Sequence, residues 1–267
     1  MHDPSAAATF PLPTLTVVMP ALNEEANIVA AIEATLCAFD HYDITGEVIV
    51  INDGSRDRTP ALVRGCMARD QRVRMHEHES PKGIGVSFWD GVRAASHEFV
   101  TMFPGDNEND PEDALVYFHI TRDVDIVIPF IHNVEVRSIS RRIVSALYRL
   151  VINLSFGMNL NYTNGTVIYN TAVLRSISPK ATGFFYQAEI LIRLIRAGYL
   201  YAEMPHFLSR RTSGRTKALT LRSFFKVARE YLLLMWDVHV VRRLGRTDVS
   251  VVFESATYRR LMRTLRE

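Results

Sequence analysis

Cysteine is scarce in this sequence of 267 residues, which contains only Cys37 and Cys66. Both lie in segments with helical spacing of apolar residues, and two isolated cysteines do not make a disulfide framework. The N-terminal residues, MHDPSAAATFPLP, lack a basic segment followed by an apolar run, so they do not predict a signal peptide. We therefore expect a protein of a reducing compartment, the cytoplasm.

The longest segment without charge does not predict a transmembrane helix. Residues 150–174 carry no charged side chain, but they contain five asparagines and two glycines. In lipid, many of these polar groups would lack hydrogen-bond partners. We therefore expect the protein to be either soluble or bound at a membrane surface.

Several nucleotide- and nucleic-acid-binding signatures are also missing. There is no GxGxxG fingerprint and no Walker loop, which argues against a dehydrogenase and a P-loop NTPase. There is no zinc-finger spacing, and the basic residues lack the glycine-aromatic interleaving of an RNA-binding sheet. We therefore expect no nucleic-acid partner.

Charge is divided unequally along the chain. Residues 1–133 carry 9 Lys+Arg and 21 Asp+Glu, a net charge of −12, whereas residues 134–267 carry 22 and 8, a net charge of +14. The two halves could simply attract each other across a shared cleft. Alternatively, the acidic half holds a metal ion and the basic half meets phosphates or an anionic membrane.

Apolar periodicity predicts strands that alternate with helices, and 48% hydrophobic residues suffice for a sizeable core. Such alternation is typical of βαβ units and a mainly parallel sheet. The predicted strands are residues 15–19, 48–51, 73–76, 99–103, 126–128, 166–169 and 200–204. The predicted helices are residues 24–39, 57–68, 85–95, 112–120, 139–156, 187–197 and 219–244.

A polar cluster follows each of the first four strands, where ligands bind in open parallel sheets. The clusters are residues 20–25 (PALNEE), 52–57 (NDGSRD), 82–85 (KGIG) and 103–111 (FPGDNENDP). Taken singly, each has a structural interpretation: Pro20 stops a strand, Asn23 caps a helix and Asp53 belongs to an Asp-Gly turn. A lysine and glycines at a helix start also suit a phosphate.

The fourth cluster carries Asp106, Glu108 and Asp110 within five residues. Carboxylates this close repel one another unless a cation is present, and hard oxygen ligands suit Mg²⁺ or Mn²⁺ bridging a diphosphate. The alternative is a solvated acidic loop that caps the helix after Pro111.

In this order, the clusters resemble those of family 2 glycosyltransferases of the GT-A fold, closest to the polyprenol-phosphate sugar transferases of the dolichol-phosphate-mannose-synthase type. The resemblance continues through residues 183–189 (GFFYQAE), 198–199, 203–205 and 210–217 (RRTSGRTK), and covers about residues 15–217. It implies an α/β fold, a GT-A (Rossmann-like) mixed, mainly parallel sheet flanked by helices. It also implies a nucleotide-sugar donor and an inverting transfer.

The resemblance also implies roles for individual residues. Asp106 would be the second aspartate of the family's DxD motif, and Glu108 would also serve the metal. One position departs from the motif, because Pro104 replaces its first aspartate and offers no side-chain ligand. The expected nucleotide-binding residues are Pro20, Ala21, Asn23, Glu24, Asp53, Ser55, Lys82, Gly83, Gly105 and Asp106.

The acceptor decides whether the reaction needs a general base. A phosphate monoester is largely ionised at pH 7 and needs positioning alone, whereas a sugar hydroxyl needs deprotonation, for which Glu189 or Asp110 is the candidate. Arginines suit bidentate phosphate contacts, which favours a phosphate acceptor, and the resemblance implies that this phosphate belongs to a polyprenyl lipid. The expected acceptor-phosphate residues are Arg137, Arg141, Arg210, Arg211, Arg215 and Lys217, and we expect catalysis to depend on Asp106, Glu189, Arg137, Arg141 and Arg211.

The predicted helix at 219–244 combines an aromatic apolar face with arginines and a lysine. Such a helix can lie in the interface at the inner face of the cytoplasmic membrane, or it can pack on the sheet or on a second subunit of a homo-oligomer. We divide the chain into a flexible tail (1–13), a catalytic domain (14–217) and a basic helical extension (218–267). Residues 14–133 would form the nucleotide-binding half and 134–217 the acceptor half. Two other functions stay open: transfer to a sugar hydroxyl, and nucleotide binding without transfer.

Overall fold

The computed structural model describes residues 13–136, 138–178, 180–181, 183, 185–206, 221–240 and 251–266. Within these ranges, seven strands form a single sheet. They are β1 (Leu15–Ala21), β2 (Gly46–Asn52), β3 (Val73–Glu77), β4 (Phe99–Met102), β5 (Ile126–Ile131), β6 (Ile168–Asn170) and β7 (Tyr201–His206).

The strand order is β3-β2-β1-β4-β6-β5-β7. β1 pairs in parallel with β2 and with β4, and β2 pairs in parallel with β3. β6 runs antiparallel to both of its neighbours, β4 and β5, while β5 and β7 are parallel. This arrangement confirms the predicted mixed, mainly parallel sheet, and it places the carboxyl ends of β1 to β4 at the same edge.

Helices cover both faces of the sheet. Within the described ranges they are α1 (Ile28–His41), α2 (Thr59–Arg69), α3 (Ile84–Ala94), α4 (Pro111–Leu115), α5 (Ile139–Phe156), α6 (Thr171–Arg175), α7 (Tyr186–Arg196), α8 (Leu221–His239) and α9 (Ala256–Thr264). Short 3-10 helices span Phe118–Arg122 and Val134–Val136.

The central strands are buried on both faces, as their continuous apolar runs predict. Val17 and Met19 of β1 pack into the cluster that includes apolar residues of α1 and α2. Val18, between them in the chain, packs into the opposite cluster with residues of α3 and α7. Successive side chains of a strand point to opposite faces, so this one strand contributes to two cores.

Two strands, predicted at residues 15–19 and 200–204, continue through the proline that follows their predicted last residue, so these predicted ends are wrong. β1 continues through Pro20 to Ala21, and β7 continues through Pro205 to His206. Pro20 faces the β4 side of β1, where its carbonyl accepts a hydrogen bond from the Gly105 N–H. Because β4 ends at Met102, no β4 carbonyl lies opposite Pro20, and its missing N–H leaves no ladder hydrogen bond unmade. Pro205 lies in β7 at the edge of the sheet, where proline is tolerated.

Two predicted helices are shorter than their apolar spacing indicates. α1 begins at Ile28 rather than at residue 24, and Asn27 occupies its N-cap position. Asn23 has a φ of 57°, whereas an N-cap residue adopts extended backbone. Asn23 therefore does not cap α1. The helix predicted at 112–120 consists of α4 followed by a 3-10 helix.

The C-terminal segment packs against the sheet domain. Leu234 and Val238 of α8 belong to the same buried cluster as Val18. The Asp125 carboxylate accepts hydrogen bonds from the N–H of Ala256 at 2.6 Å and of Thr257 at 3.0 Å, at the start of α9, a helix that the sequence did not predict. The division of the chain at residues 217 and 218 stays a prediction.

Candidate functional site

The four polar clusters meet at the carboxyl edge of β1 to β4. We call this region the carboxyl-edge site and define it as residues 20–25, 52–57, 78–83 and 103–110. The first two loops are joined directly: the Asn23 N–H donates to Ser55 Oγ at 3.0 Å, and the Arg56 N–H donates to Asn23 Oδ1 at 2.9 Å. The left-handed conformation of Asn23 therefore serves the contact between loops.

Two glycines allow the loops to approach closely. A Cβ on Gly54 would lie 2.9 Å from the carbonyl carbon of Ser80, and Gly54 has a φ of 75°. A Cβ on Gly105 would lie 2.8 Å from Ile28 Cδ1 and 3.2 Å from Ala21 Cβ. Gly54 thus brings the second loop against the third, and Gly105 brings the fourth against the first.

Asp53 is buried in the site, and the chain itself supplies partners to both of its oxygens. Oδ1 accepts hydrogen bonds from His78 Nδ1 at 2.7 Å and from the Lys82 N–H at 2.8 Å. Oδ2 accepts a hydrogen bond from the Gly83 N–H at 2.9 Å. Burial alone would raise the pKa of Asp53, but these hydrogen bonds hold it below its ordinary value.

These contacts change the interpretation of the loop before α3. The backbone N–H groups of Lys82 and Gly83 donate to Asp53, although a glycine-rich helix start is typical of a phosphate site. Both residues remain exposed at the carboxyl-edge site. Their predicted place near the nucleotide stays a prediction, and in this structure their N–H groups hold the loop against β2.

His78 joins Asp53 to α3. Its Nε2 lies 2.8 Å from Asp90 Oδ2, and Arg93 contacts the other oxygen of Asp90. Burial would raise the pKa of Asp90, but the hydrogen bonds from Arg93 and His78 lower it. His76, His78 and Asp90 also bring possible metal-ligand atoms within 4.8 Å of one another. Because both ring nitrogens of His78 already lie at hydrogen-bond distance from carboxylates, we interpret the group as a hydrogen-bonded network.

The acidic loop follows β4. Asp106 is half-buried, and its Oδ1 accepts the Glu108 N–H at 3.1 Å, while Glu108 itself is exposed. Asp110 caps α4 by accepting the Glu112 N–H at 3.0 Å. The donor set of Asp106 and Glu108 consists of carboxylate oxygens beside the first loop, so it fits a hard divalent cation. Pro104 contributes no ligand.

Glu189, the candidate base for a hydroxyl acceptor, is buried in α7. Its carboxylate accepts hydrogen bonds from the N–H groups of Lys180 and Ala181, and from Arg193 Nε at 2.8 Å. Arg193 also contacts Asp237 of α8 at 3.0 Å. Burial would raise the pKa of Asp237, but Arg193 holds it below its ordinary value. The Glu189 contacts connect α7, the preceding loop and, through Arg193, α8.

The predicted acceptor-phosphate residues lie largely outside the described part of the chain. Arg141 lies in α5, but its side chain lies outside the described residues. The others that lie outside the described residues are Arg137, Arg210, Arg211, Arg215 and Lys217. Their roles stay predictions.

An apolar surface lies on α5 and α8, which pack together through Ser155 and Tyr231. Leu154 of α5 is 75% exposed and Trp236 of α8 is 62% exposed. We call this region the α5–α8 surface. Its other exposed apolar residues are Ile139, Ile143, Val144, Leu147, Leu150, Val151, Phe225, Leu232 and Leu233.

Sequence reasoning did not find His78, Asp90, Arg193 or Asp237. His78 directly follows the weakly predicted third strand, and Asp90 lies in the middle of α3. A single polar residue in either place does not indicate a functional role. Arg193 does follow Glu189 by four residues, a spacing that predicts a helical ion pair and could have been used.

The sheet order and the loops at its carboxyl edge define a GT-A fold, as in solved glycosyltransferase structures. The chain belongs to glycosyl transferase family 2, whose family model matches residues 16–180. This match confirms the resemblance that the order of the polar clusters indicates.

The relatives are distant. The chain is 25% identical over 253 residues to glycosyltransferase AglD of Haloferax volcanii, covering 90% of this chain and 40% of that protein. It is 25% identical over 167 residues to dodecaprenyl-phosphate galacturonate synthase of Rhizobium johnstonii, covering 61% and 49%. The chain thus spans less than half the length of either relative.

A solved structure shares the fold. Glucosyl-3-phosphoglycerate synthase of Mycobacterium tuberculosis superposes with a TM-score of 0.61 at 22% identity, covering 84% of this chain and 81% of that one. Structures of that enzyme contain UDP with Mn²⁺ or with Mg²⁺. Within the described residues of the present chain, no helix is both long and apolar enough to cross a membrane.

Proposed function

We propose that the chain is an inverting glycosyltransferase that moves a sugar from a nucleotide-diphosphate sugar to a polyprenyl-phosphate-type acceptor. The observation that carries this proposal is the convergence of four polar loops at one edge of the sheet of a family 2 member. In open α/β sheets, that edge is where ligands bind.

The donor would lie across the first two loops. Pro20, Ala21, Asn23 and Glu24 would line the nucleotide pocket, with Ser55 beside them. The hydrogen bonds between Asn23 and the second loop support this proposal, because they hold the pocket in place before the ligand arrives. The UDP complexes of the structural relative make a UDP-sugar a reasonable first donor to test, with GDP-sugars as the second.

Asp106 and Glu108 would hold Mg²⁺ or Mn²⁺. When bound, the cation would neutralise charge on the departing diphosphate. The half-buried position of Asp106 next to the first loop supports its role, and Glu108 would reach the same cation from two residues further along. Since Pro104 supplies no carboxylate, the diphosphate itself would complete much of the coordination.

The contacts of Glu189 favour a phosphate acceptor over a hydroxyl. A general base needs an oxygen that can reach the proton it removes, whereas the Glu189 carboxylate is buried and accepts two backbone N–H groups and an arginine. Asp110, the other candidate base, accepts a hydrogen bond as the cap of α4. A phosphate acceptor held by arginines requires neither carboxylate as a base.

We also propose that the α5–α8 surface lies on a membrane. Its apolar side chains are flanked by exposed Arg142, Arg149, Lys226 and Arg229, a combination that suits an anionic lipid interface. A lipid-phosphate acceptor would be met there, and the location would be the inner face of the cytoplasmic membrane. The names of a dodecaprenyl-phosphate and a dolichyl-phosphate enzyme among the relatives support this acceptor class.

The proposal is tested in two stages. UDP- and GDP-sugars are first screened for thermal stabilisation with and without Mn²⁺, since a ligand that binds the native state raises stability by mass action. The stabilising donor is then assayed for transfer to a short-chain polyprenyl phosphate and to sugar hydroxyl acceptors.

Variants of the acceptor arginines separate the two classes of acceptor. Arg137→Ala, Arg141→Ala and Arg211→Ala should each lower kcat/KM for the prenyl phosphate about tenfold to a hundredfold, with donor binding unchanged, because one charge-assisted contact is lost. Arg263→Ala, an exposed arginine of α9, is the control. Transfer of the sugar to a hydroxyl but to no prenyl phosphate would overturn the proposed acceptor class. Binding of the donor without transfer to any acceptor would indicate a nucleotide-binding protein without transferase activity.

A further inference from the structure

His78 is a fully buried histidine whose two ring nitrogens both meet carboxylates. Nδ1 lies 2.7 Å from Asp53 Oδ1, Nε2 lies 2.8 Å from Asp90 Oδ2, and the side chain has 0% exposure. An ionised carboxylate only accepts hydrogen bonds, and a neutral imidazole has a single N–H. The lowered pKa values of Asp53 and Asp90 indicate that both carboxylates are ionised, and two hydrogen bonds to ionised carboxylates need a proton on each ring nitrogen.

The charges around His78 agree with an imidazolium. Arg93 of α3 meets the outer oxygen of Asp90 but is itself largely exposed, so the basic side chain that lies buried between the two carboxylates is His78. His76 of β3 stacks edge-on at a ring-centroid distance of 5.5 Å and is exposed. With a neutral imidazole between them, one of the two carboxylates would lose its hydrogen bond from the ring, because a neutral imidazole carries a single N–H.

The contact with Asp53 extends to the loop before α3. Asp53 Oδ1 is shared by His78 and the Lys82 N–H, while Oδ2 accepts the Gly83 N–H. The His78 N–H also donates to the Asn52 carbonyl at 2.9 Å. These hydrogen bonds form one continuous network. It connects Asp90 of α3 to His78, which follows β3, and His78 to Asp53, which follows β2. Asp53 in turn accepts the N–H groups of Lys82 and Gly83, which directly precede α3.

We propose that His78 is a positioning residue: as an imidazolium held between Asp53 and Asp90, it fixes Asp53 and thereby the 82–83 loop at the carboxyl-edge site. The link to nucleotide binding rests on the proposed function, whereas the link to the loop does not. His78 touches neither donor nor acceptor in this proposal.

Hydrogen exchange and NMR test the structural part on the full chain. In wild type, ¹⁵N-labelled His78 should show the paired shifts of an imidazolium. In His78→Gln, amide exchange at Lys82 and Gly83 should accelerate about tenfold or more, because one charge-assisted hydrogen bond to Asp53 is lost. His76→Gln, which changes the exposed neighbour, should leave both readings unchanged. If His78→Gln does not fold, Asp90→Asn replaces it, with acceleration at the same two amides expected.

Kinetics test the functional part. His78→Gln should raise the donor KM about tenfold with little change in kcat, and His76→Gln should raise neither. Three results would overturn the inference. The first is a neutral imidazole at His78 in the NMR spectrum, and the second is unchanged amide exchange at Gly83 in His78→Gln. The third is a metal ion that wild type binds and both histidine variants lose. A lower melting temperature with unchanged donor KM would also overturn it, since that result describes a merely structural histidine. If wild type binds no nucleotide sugar, the proposed function fails, and the exchange and NMR readings still decide the role of His78.

Discussion

Arg193 lies one helical turn after Glu189 in α7, and its Nε donates a hydrogen bond to Glu189 Oε1 at 2.8 Å. The pair is buried, and the same arginine reaches Asp237 of α8. Because Glu189 also accepts the N–H groups of Lys180 and Ala181, it holds together the loop and two helices on the acceptor side of the sheet.

Glu189→Gln should therefore mainly lower the free energy of unfolding and have a smaller effect on the rate of sugar transfer. We expect the free energy of unfolding to fall by about 1.5–3 kcal/mol, because an ionised acceptor is lost from a buried network. Urea denaturation measures this change, and kcat is compared with that of Asp106→Asn, which should fall much further. A stable Glu189→Gln protein without transfer activity would instead indicate a general base and a hydroxyl acceptor.

Asp106→Asn and Glu108→Gln should each weaken nucleotide binding in Mn²⁺ and nearly abolish transfer. The expected loss of affinity is about tenfold to a hundredfold, and binding without the metal should change little. Isothermal titration with and without Mn²⁺ measures both. Asp110→Asn is the matched control, since it removes a charge from the same loop while asparagine still caps α4. Full activity in Asp106→Asn would show that the metal assignment is wrong.

Gly54→Ala should lower the free energy of unfolding by about 1–3 kcal/mol, because the φ of 75° is unfavourable for alanine and the new Cβ meets the Ser80 backbone. Gly65→Ala, within α2 and with open space around its Cβ, should instead raise it by about 0.5–1 kcal/mol. Chemical denaturation of the two variants compares them directly. Equal effects of the two alanines would contradict the close contact of the second and third loops.

The buried Glu47 predicts a dependence of stability on pH. Burial alone would raise its pKa, but hydrogen bonds from Ser96, Thr16 and Arg74 lower it below the ordinary value. Its contribution is therefore fully present above its unfolded-state pKa of about 4.3 and is lost as the pH falls through the lower folded-state pKa. Glu47→Gln should destabilise the protein at pH 7, and its difference from wild type should shrink towards about pH 3. Glu33→Gln, at an exposed glutamate, should differ little from wild type at either pH.

The α5–α8 surface predicts binding to anionic phospholipid vesicles. Leu154→Glu and Trp236→Glu should each lower the affinity about tenfold or more, because each removes a large apolar side chain from the interface. Met67→Glu, at an apolar residue of α2 that is 38% exposed, is the control for added charge. Sedimentation with vesicles measures binding. A concentration-dependent dimer that both variants disrupt, without any vesicle binding, would assign this surface to a second copy of the chain.

The amino-acid sequence determined the framework of the site. Continuous apolar runs placed the central strands, and a polar cluster after each strand located the carboxyl edge, because both signals are local in the chain. Even Gly54, where φ is positive, could be identified as a turn residue because it follows Asp53. The helix starts were less certain, since Asn23 can cap a helix but here contacts the second loop instead.

The tertiary structure alone decided which partners the polar side chains take. The contact of Asp53 with a nucleotide stays a prediction; its hydrogen-bond partners within the chain lie 25 to 30 residues away and reach it because β2 and β3 are adjacent. The same holds for Glu189 and for the pairing of Arg193 with Asp237, 44 residues apart. A buried charge requires a partner, but the sequence does not say which one, because the order of the strands and the packing of the helices bring the candidates together.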